Sequence, residues 1–208
     1  MLKIIQENLS RKESTWLDQL SLKQSSPEAD LPKAAVLLAI TDEESPEIIY
    51  TIRSSKVSSH QGEVSFPGGM KEDSDSSLSV TALRESEEEI GLPQDCVKIL
   101  GSLDTMVSRF NISVTPFVGV IPKNVELNVN LEEIEACFRV PLSFLLEDKR
   151  YRNDKINRNG ETFYMPAYKY RSYVIWGLTA MITVNFLNRA LDASINMSVP
   201  SKIEGEQG

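Results

Sequence analysis

Histidine and cysteine are nearly missing from this chain. It has one histidine, His60, and two cysteines, Cys96 and Cys137, with no CxxC pair. That shortage argues against a disulfide framework and against a structural zinc site. Basic charge is also short. Lys and Arg number 22 against 30 Asp and Glu, for a net charge of −8. With no basic patch to neutralise phosphates, neither nucleic acid nor an acidic membrane is an expected partner. Long apolar runs are lacking too. The longest, residues 174–191, is broken by Gly177, Asn185, Asn188 and Arg189, which makes it too short and too polar for a bilayer span. No charged segment followed by an apolar one opens the chain, so no secretory signal is visible and the reduced cytoplasm is the expected location.

What remains is a soluble globular composition, 41% apolar and 25% charged over 208 residues. That is enough for one domain with a substantial core. The expected division is an N-terminal helical arm and linker over 1–30, a main domain over 31–191, and a flexible polar tail over 192–208.

The chain is organised around residues 66–92. Phe66-Pro67-Gly68-Gly69 reads as a turn, because Pro fixes one dihedral and paired glycines allow angles that other residues resist. A helix is expected from about Ser76, stopped by Gly91 with Pro93 close behind. At ~100° per residue, Glu85, Glu88 and Glu89 project from one helix face, while Glu87 points away. Like charges at this spacing oppose helix formation, and they sit where the helix dipole also disfavours them. A hard cation such as Mg²⁺ or Mn²⁺ would remove that conflict.

The stretch resembles the Nudix box: a Gly, five residues, a Glu, seven residues, then R-E-U-x-E-E-x-G-U, with U bulky and apolar. Gly69 matches the first Gly. Arg84, Glu85, Glu88, Glu89, Gly91 and Leu92 match the second half. Asp75 stands where the first Glu is expected, with one extra residue before Arg84, and Ser86 replaces a bulky apolar residue. The Asp and the extra residue are similar to the coenzyme A diphosphatase branch. So is the approach to the box. Arg53, Ser54, Gly62 and the FPGG turn match that branch's upstream signature, but Ser58 occupies the place of a later Arg that would suit a substrate phosphate. Lys56 and His60 are substitute donors there.

Along the rest of the chain, residues 1–20 read as an amphipathic helix, a packing arm or a dimer contact, and 23–30 as a linker. Strands are expected at 34–40 and 47–53 as a hairpin, then at 97–103 and 112–121, with Pro116 marking a sheet edge or bulge. Residues 136–140 read as a short strand, with Pro141 opening a helix. Residues 147–160 read as a polar loop or hairpin tip, 162–168 and 172–176 as strands, and 177–191 as a closing helix. Arg109, in the loop before the fourth of these strands, is a solvated Arg or one that reaches an anionic substrate. The segment at 173–180 is similar to the Y-I-W-G-x-T-A close of the coenzyme A branch.

The resemblance implies an α/β fold, an α/β/α sandwich around a mixed sheet. It also implies a Mg²⁺- or Mn²⁺-dependent hydrolase of a nucleoside diphosphate linked to another group. Glu85, Glu88 and Glu89 would be metal ligands and catalytic residues, with Gly69 beside the metal. Arg53, Ser54, Gly62 and Gly68 would meet the substrate, and Arg84, Asp75 and Gly91 would be structural. Many relatives carry a loop Glu after the box that serves as a metal ligand or general base. Glu133 fits best, with Glu132 and Glu135 as rivals. Coenzyme A or a derivative is the first expected substrate. ADP-ribose, a dinucleotide or another nucleoside diphosphate derivative is the second. A noncatalytic binding module is a third possibility, and a homodimer is compatible with all of these.

Overall fold

A computed structural model describes residues 2–11, 31–55, 62–158 and 161–200. The linker at 23–30, the C-terminal half of the expected first helix, and Lys56, Ser58 and His60 lie outside the described residues.

β1 (Lys33–Asp42) is the central strand. Its apolar run is buried on both faces, as a strand covered on two sides must be. Leu38 and Ile40 join one hydrophobic cluster, and Ala35, Leu37 and Ala39 join the other. β2 (Glu47–Arg53) pairs antiparallel with β1 through Ile40 and Ile48. β3 (Val64–Ser65) pairs antiparallel with the end of β2, and β4 (Gly68–Met70) pairs with the opening residues of β1. One edge of β1 is therefore shared, with β2 at its end and β4 at its start. The FPGG turn enters at this fork, where the Pro67 carbonyl accepts the Leu37 N–H at 2.8 Å.

α1 (Leu2–Ser10) precedes these strands, and α2 (Leu78–Ile90) follows them. Then come β5 (Lys98–Ser102), β6 (Met106–Val107), β7 (Ser113–Pro122), β8 (Ile134–Pro141) and α3 (Leu142–Leu146). β7 runs parallel to β1 over its whole length, whereas the other pairings are antiparallel, so the sheet is mixed. Among the described residues it has eight strands, with the main path β3-β2-β1-β7-β5. A second sheet of three, β9 (Arg152–Arg158), β10 (Glu161–Tyr170) and β11 (Tyr173–Ile175), leads into α4 (Gly177–Leu191).

α2 packs Ala82 and Ile90 against Ala35, Leu37, Ala39 and Ile49 on one face of the main sheet. α4 packs Ala180, Val184, Phe186 and Leu187 against the other face, together with Ile5 and Leu9 of α1. This is the expected α/β/α sandwich. No helix among the described residues is long and apolar enough to cross a membrane.

Four local readings change. Pro116 is not at a sheet edge, because β7 lies between β1 and β5. It falls where the outer partner changes from β6 at Val114 to β5 at Phe117, so a missing N–H disrupts no ladder. Residues 152–158, expected within a polar loop or hairpin tip, form a strand paired antiparallel with β10. Their polar sequence is tolerated because β9 is the outer strand of the small sheet. Pro141 is the cap preceding α3, not its first residue. The start of the expected frayed tail is anchored: Ile195 and Met197 are buried, Asn188 bonds both ways with Ile195, and the Asn196 carbonyl accepts from Arg150 at 2.7 Å.

Candidate active site

α2 positions the acidic residues. Ser77 caps its start by accepting the Val80 N–H, and Gly91 ends it in the left-handed conformation at φ 64°. A Cβ on Gly91 would meet the Asn128 backbone at 2.8 Å, so this stop is also a close approach. Burial of Ala82 and Ile90 fixes the helix's rotation, and that rotation carries Glu89 to the edge of the buried face.

The three glutamates are then unequal. The Glu89 side chain is 3% exposed, that of Glu85 16% and that of Glu88 53%. Glu89 Oε2 accepts the Gly68 N–H at 3.0 Å, and Glu89 Oε1 lies 3.5 Å from the Arg53 guanidinium. Burial pushes the Glu89 carboxyl up to about 7, against the lowering by the Gly68 N–H and Arg53 and with added repulsion from Glu85 and Glu133. Burial also raises Glu85, which feels Glu88 and Glu133 as well. Glu88 faces outward and pairs with Arg84 at 2.8 Å.

Gly69 lies against Glu85 so closely that a Cβ there would collide with the carboxylate. Arg84 lies between Asp75 and the acidic face of α2. It forms a fork with Asp75, Nε to Oδ1 at 3.0 Å and Nη2 to Oδ2 at 3.1 Å, and it reaches Glu85 at 3.1 Å and the Met70 carbonyl at 3.1 Å. Asp75 is buried and also accepts from Thr81 and from the Glu72 N–H. The guanidinium holds its carboxyl well below the usual carboxylate range. Ser86 is fully buried, and its hydroxyl donates to the Ala82 carbonyl at 2.6 Å.

Glu133 is half-buried and Glu132 and Glu135 are exposed. Glu133 adds to the negative charge felt by Glu85 and Glu89. Its carbonyl accepts the Ser54 N–H at 2.8 Å, just beyond the end of β2. Gly62 takes φ 69° and donates its N–H to the Arg53 carbonyl. Arg109 pairs with Glu63 at 3.2 Å and lies over the Phe110 ring. Asn130 was not anticipated, although an Asn two residues before Glu132 is a known turn signal. It tethers Glu133 to α2.

Among the described residues no three His, Cys, Asp or Glu side chains converge as a ready-made cation cage. The donor chemistry nevertheless fits a hard divalent ion. Two inward carboxylates repel each other, one is held largely out of water, and a glycine leaves room beside the other.

The NUDIX domain family model matches residues 31–159. The uncharacterized Nudix hydrolase NudL of Yersinia enterocolitica is 39% identical over 172 residues, 81% of this chain and 88% of that protein. NudL of Photorhabdus laumondii is 41% identical over 149 residues, 72% of this chain and 80% of that protein. Among solved structures, a MutT/nudix family protein from Enterococcus faecalis superposes with a TM-score of 0.52 at 13% identity, over 90% of this chain and 73% of that one. That last similarity speaks for the fold.

Proposed function

The chain belongs to the Nudix hydrolase family, and on that premise we propose that it hydrolyses the diphosphate of coenzyme A or its derivatives. The products are adenosine 3′,5′-bisphosphate and 4′-phosphopantetheine, and the cation is Mg²⁺ or Mn²⁺. The observation that carries this reading is a junction on one carboxylate. Arg53 from the upstream signature, Gly68 from the FPGG turn and Glu89 from the helix meet there. Three segments far apart in sequence serve one group.

Glu85 and Glu89 would hold the cation, with Glu88 at the rim and Gly69 leaving room. Such an ion neutralises diphosphate charge and lowers the pKa of water. The chain's own residues do the rest. Gly68 and Arg53 hold the Glu89 oxygens in place. Arg84, clamped on Asp75, fixes Glu85 from the other side. Glu133 is the carboxylate assigned to take the proton from the attacking water, and Arg53 and Ser54 border the diphosphate.

The second substrate reading, ADP-ribose or another nucleoside diphosphate derivative, is favoured by Ser58 standing where the coenzyme A branch has an Arg suited to a substrate phosphate. The test is product analysis with coenzyme A and, separately, ADP-ribose, each with Mg²⁺, Mn²⁺ or chelator. Metal-dependent release of 4′-phosphopantetheine, with ADP-ribose largely intact, supports the first reading. Cleavage of ADP-ribose alone would replace it with the second.

A further inference from the structure

We propose that Asn130 is a positioning residue for the reaction, one that holds the Glu133 carboxylate in register with α2. The inference rests on Glu133 as the proton acceptor. Asn130 joins both partners through separate groups. Its backbone N–H donates to the Glu89 carbonyl at 2.9 Å, and its side-chain Nδ2 donates to Glu133 Oε1 at 3.1 Å. Its Oδ1 accepts the Glu132 N–H at 3.2 Å, and its carbonyl accepts the N–H groups of Glu133 and Ile134. The two side-chain bonds fix the amide's orientation. Flipped, it would set an oxygen against the carboxylate and an NH₂ against an N–H.

The loop is tied to the helix a second time, where the Asn128 N–H donates to the Ile90 carbonyl at 2.9 Å. On its other side, Glu133 is held at Ser54. Thus α2, the end of β2 and the loop share one hydrogen-bonded bracket, and Asn130 is the member that touches the reacting side chain. A neutral amide suits this task, because it donates one bond to the carboxylate and brings no charge of its own beside it.

Asn130→Asp separates positioning from loop structure. An Asp keeps the oxygen that caps the Glu132 N–H, but it replaces the donor to Glu133 with a repelling oxygen. Asn130→Ala removes both side-chain bonds. The measurements are kcat and KM on coenzyme A, Mn²⁺ affinity by electron paramagnetic resonance titration, and thermal unfolding. The same substitutions are repeated in a Glu133→Gln background. Both Asn130 variants are expected to lose kcat about tenfold or more, with KM and Mn²⁺ affinity within about threefold, and to lose little further in the Glu133→Gln background. Wild-type kcat in Asn130→Asp, equal losses in both backgrounds, or a fall in Mn²⁺ affinity matching the fall in kcat would each overturn the inference while hydrolysis stood. Full activity in Glu133→Gln would overturn the assignment on which it rests.

Discussion

Gly68 donates its backbone N–H to the Glu89 carboxylate at 3.0 Å, so the turn before the helix holds the acid near its end. The neighbouring glycine does a different job, and the two can be told apart. A Cβ on Gly68, at φ 150°, would strike the Ala35 carbonyl and the backbone of Val36. The nearest atoms that a Cβ on Gly69 would strike are all in the Glu85 carboxylate, a side-chain end rather than backbone. Gly68→Ala is therefore expected to destabilise the fold by about 1–3 kcal/mol. Gly69→Ala is expected to keep its melting temperature but lose roughly 10–100-fold in divalent-cation affinity, because Glu85 must swing away. Thermal unfolding and Mn²⁺ titration of both variants check this. Equal behaviour of the two would refute the distinction.

Asp75 gives a pH prediction. The Arg84 guanidinium depresses its folded-state pKa, so the pair stabilises the protein fully above the unfolded value, about 3.9. That stabilisation is lost as pH falls through the window below it. The melting-temperature gap between wild type and Asp75→Asn should therefore be constant near neutrality and shrink as pH falls below about 4. A gap that widens on acidification would contradict the geometry.

The fold was legible in the chain because its signals were local. AAVLLAI is a short, continuous apolar run of the kind a strand buried on both faces shows, and Ser77 and Gly91 bracket α2 almost where capping chemistry puts them. The spacing of Glu85, Glu88 and Glu89 revealed a shared helix face, but not that Glu88 turns to Arg84 while Glu89 is drawn under the FPGG turn. That asymmetry comes from packing of Ala82 and Ile90, which a helical wheel does not contain. β9 was missed because RNDKINR has neither apolar alternation nor β-branched enrichment beyond Ile156. Its strand state is imposed by pairing with β10. Asn130 was missed because its value lies in contacts with two other segments.

Arg150 is 1% exposed, and its charge is matched by a fork from Asp148 at 3.0 Å through both oxygens. Asn153 and the Asn196 carbonyl take further donors, and the Tyr168 hydroxyl donates to Asp148. Removing one partner of such a pair is worse than removing the charge itself. Asp148→Ala should cost about 3–5 kcal/mol by leaving a buried cation short of its anion. Arg150→Met should cost less, since it removes the charge and keeps the volume. Chemical denaturation of both variants decides the order. A costlier Arg150→Met would mean that anchoring residues 192–198 outweighs charge compensation.

Ser86 stands where the box resemblance calls for a bulky apolar residue, and it lies in the buried face of α2. The side chain is fully buried, between Ala82 one turn back and Ile90 one turn on, in the layer that packs α2 on β1. Its hydroxyl is already satisfied by the Ala82 carbonyl at 2.6 Å, a bond that slightly competes with the helix ladder. Ser86→Ala removes that competition and leaves no buried donor unpaired, so stability should change by less than about 1 kcal/mol. Ser86→Leu must force extra methylenes into a close-packed layer and should destabilise by about 1–3 kcal/mol. It should also weaken cation binding, because the helix can make room only by moving Glu85 and Glu89 away from Gly69 and Gly68. Urea unfolding and Mn²⁺ titration test both halves. A more stable Ser86→Leu would show that the neighbours have kept a cavity for the larger residue.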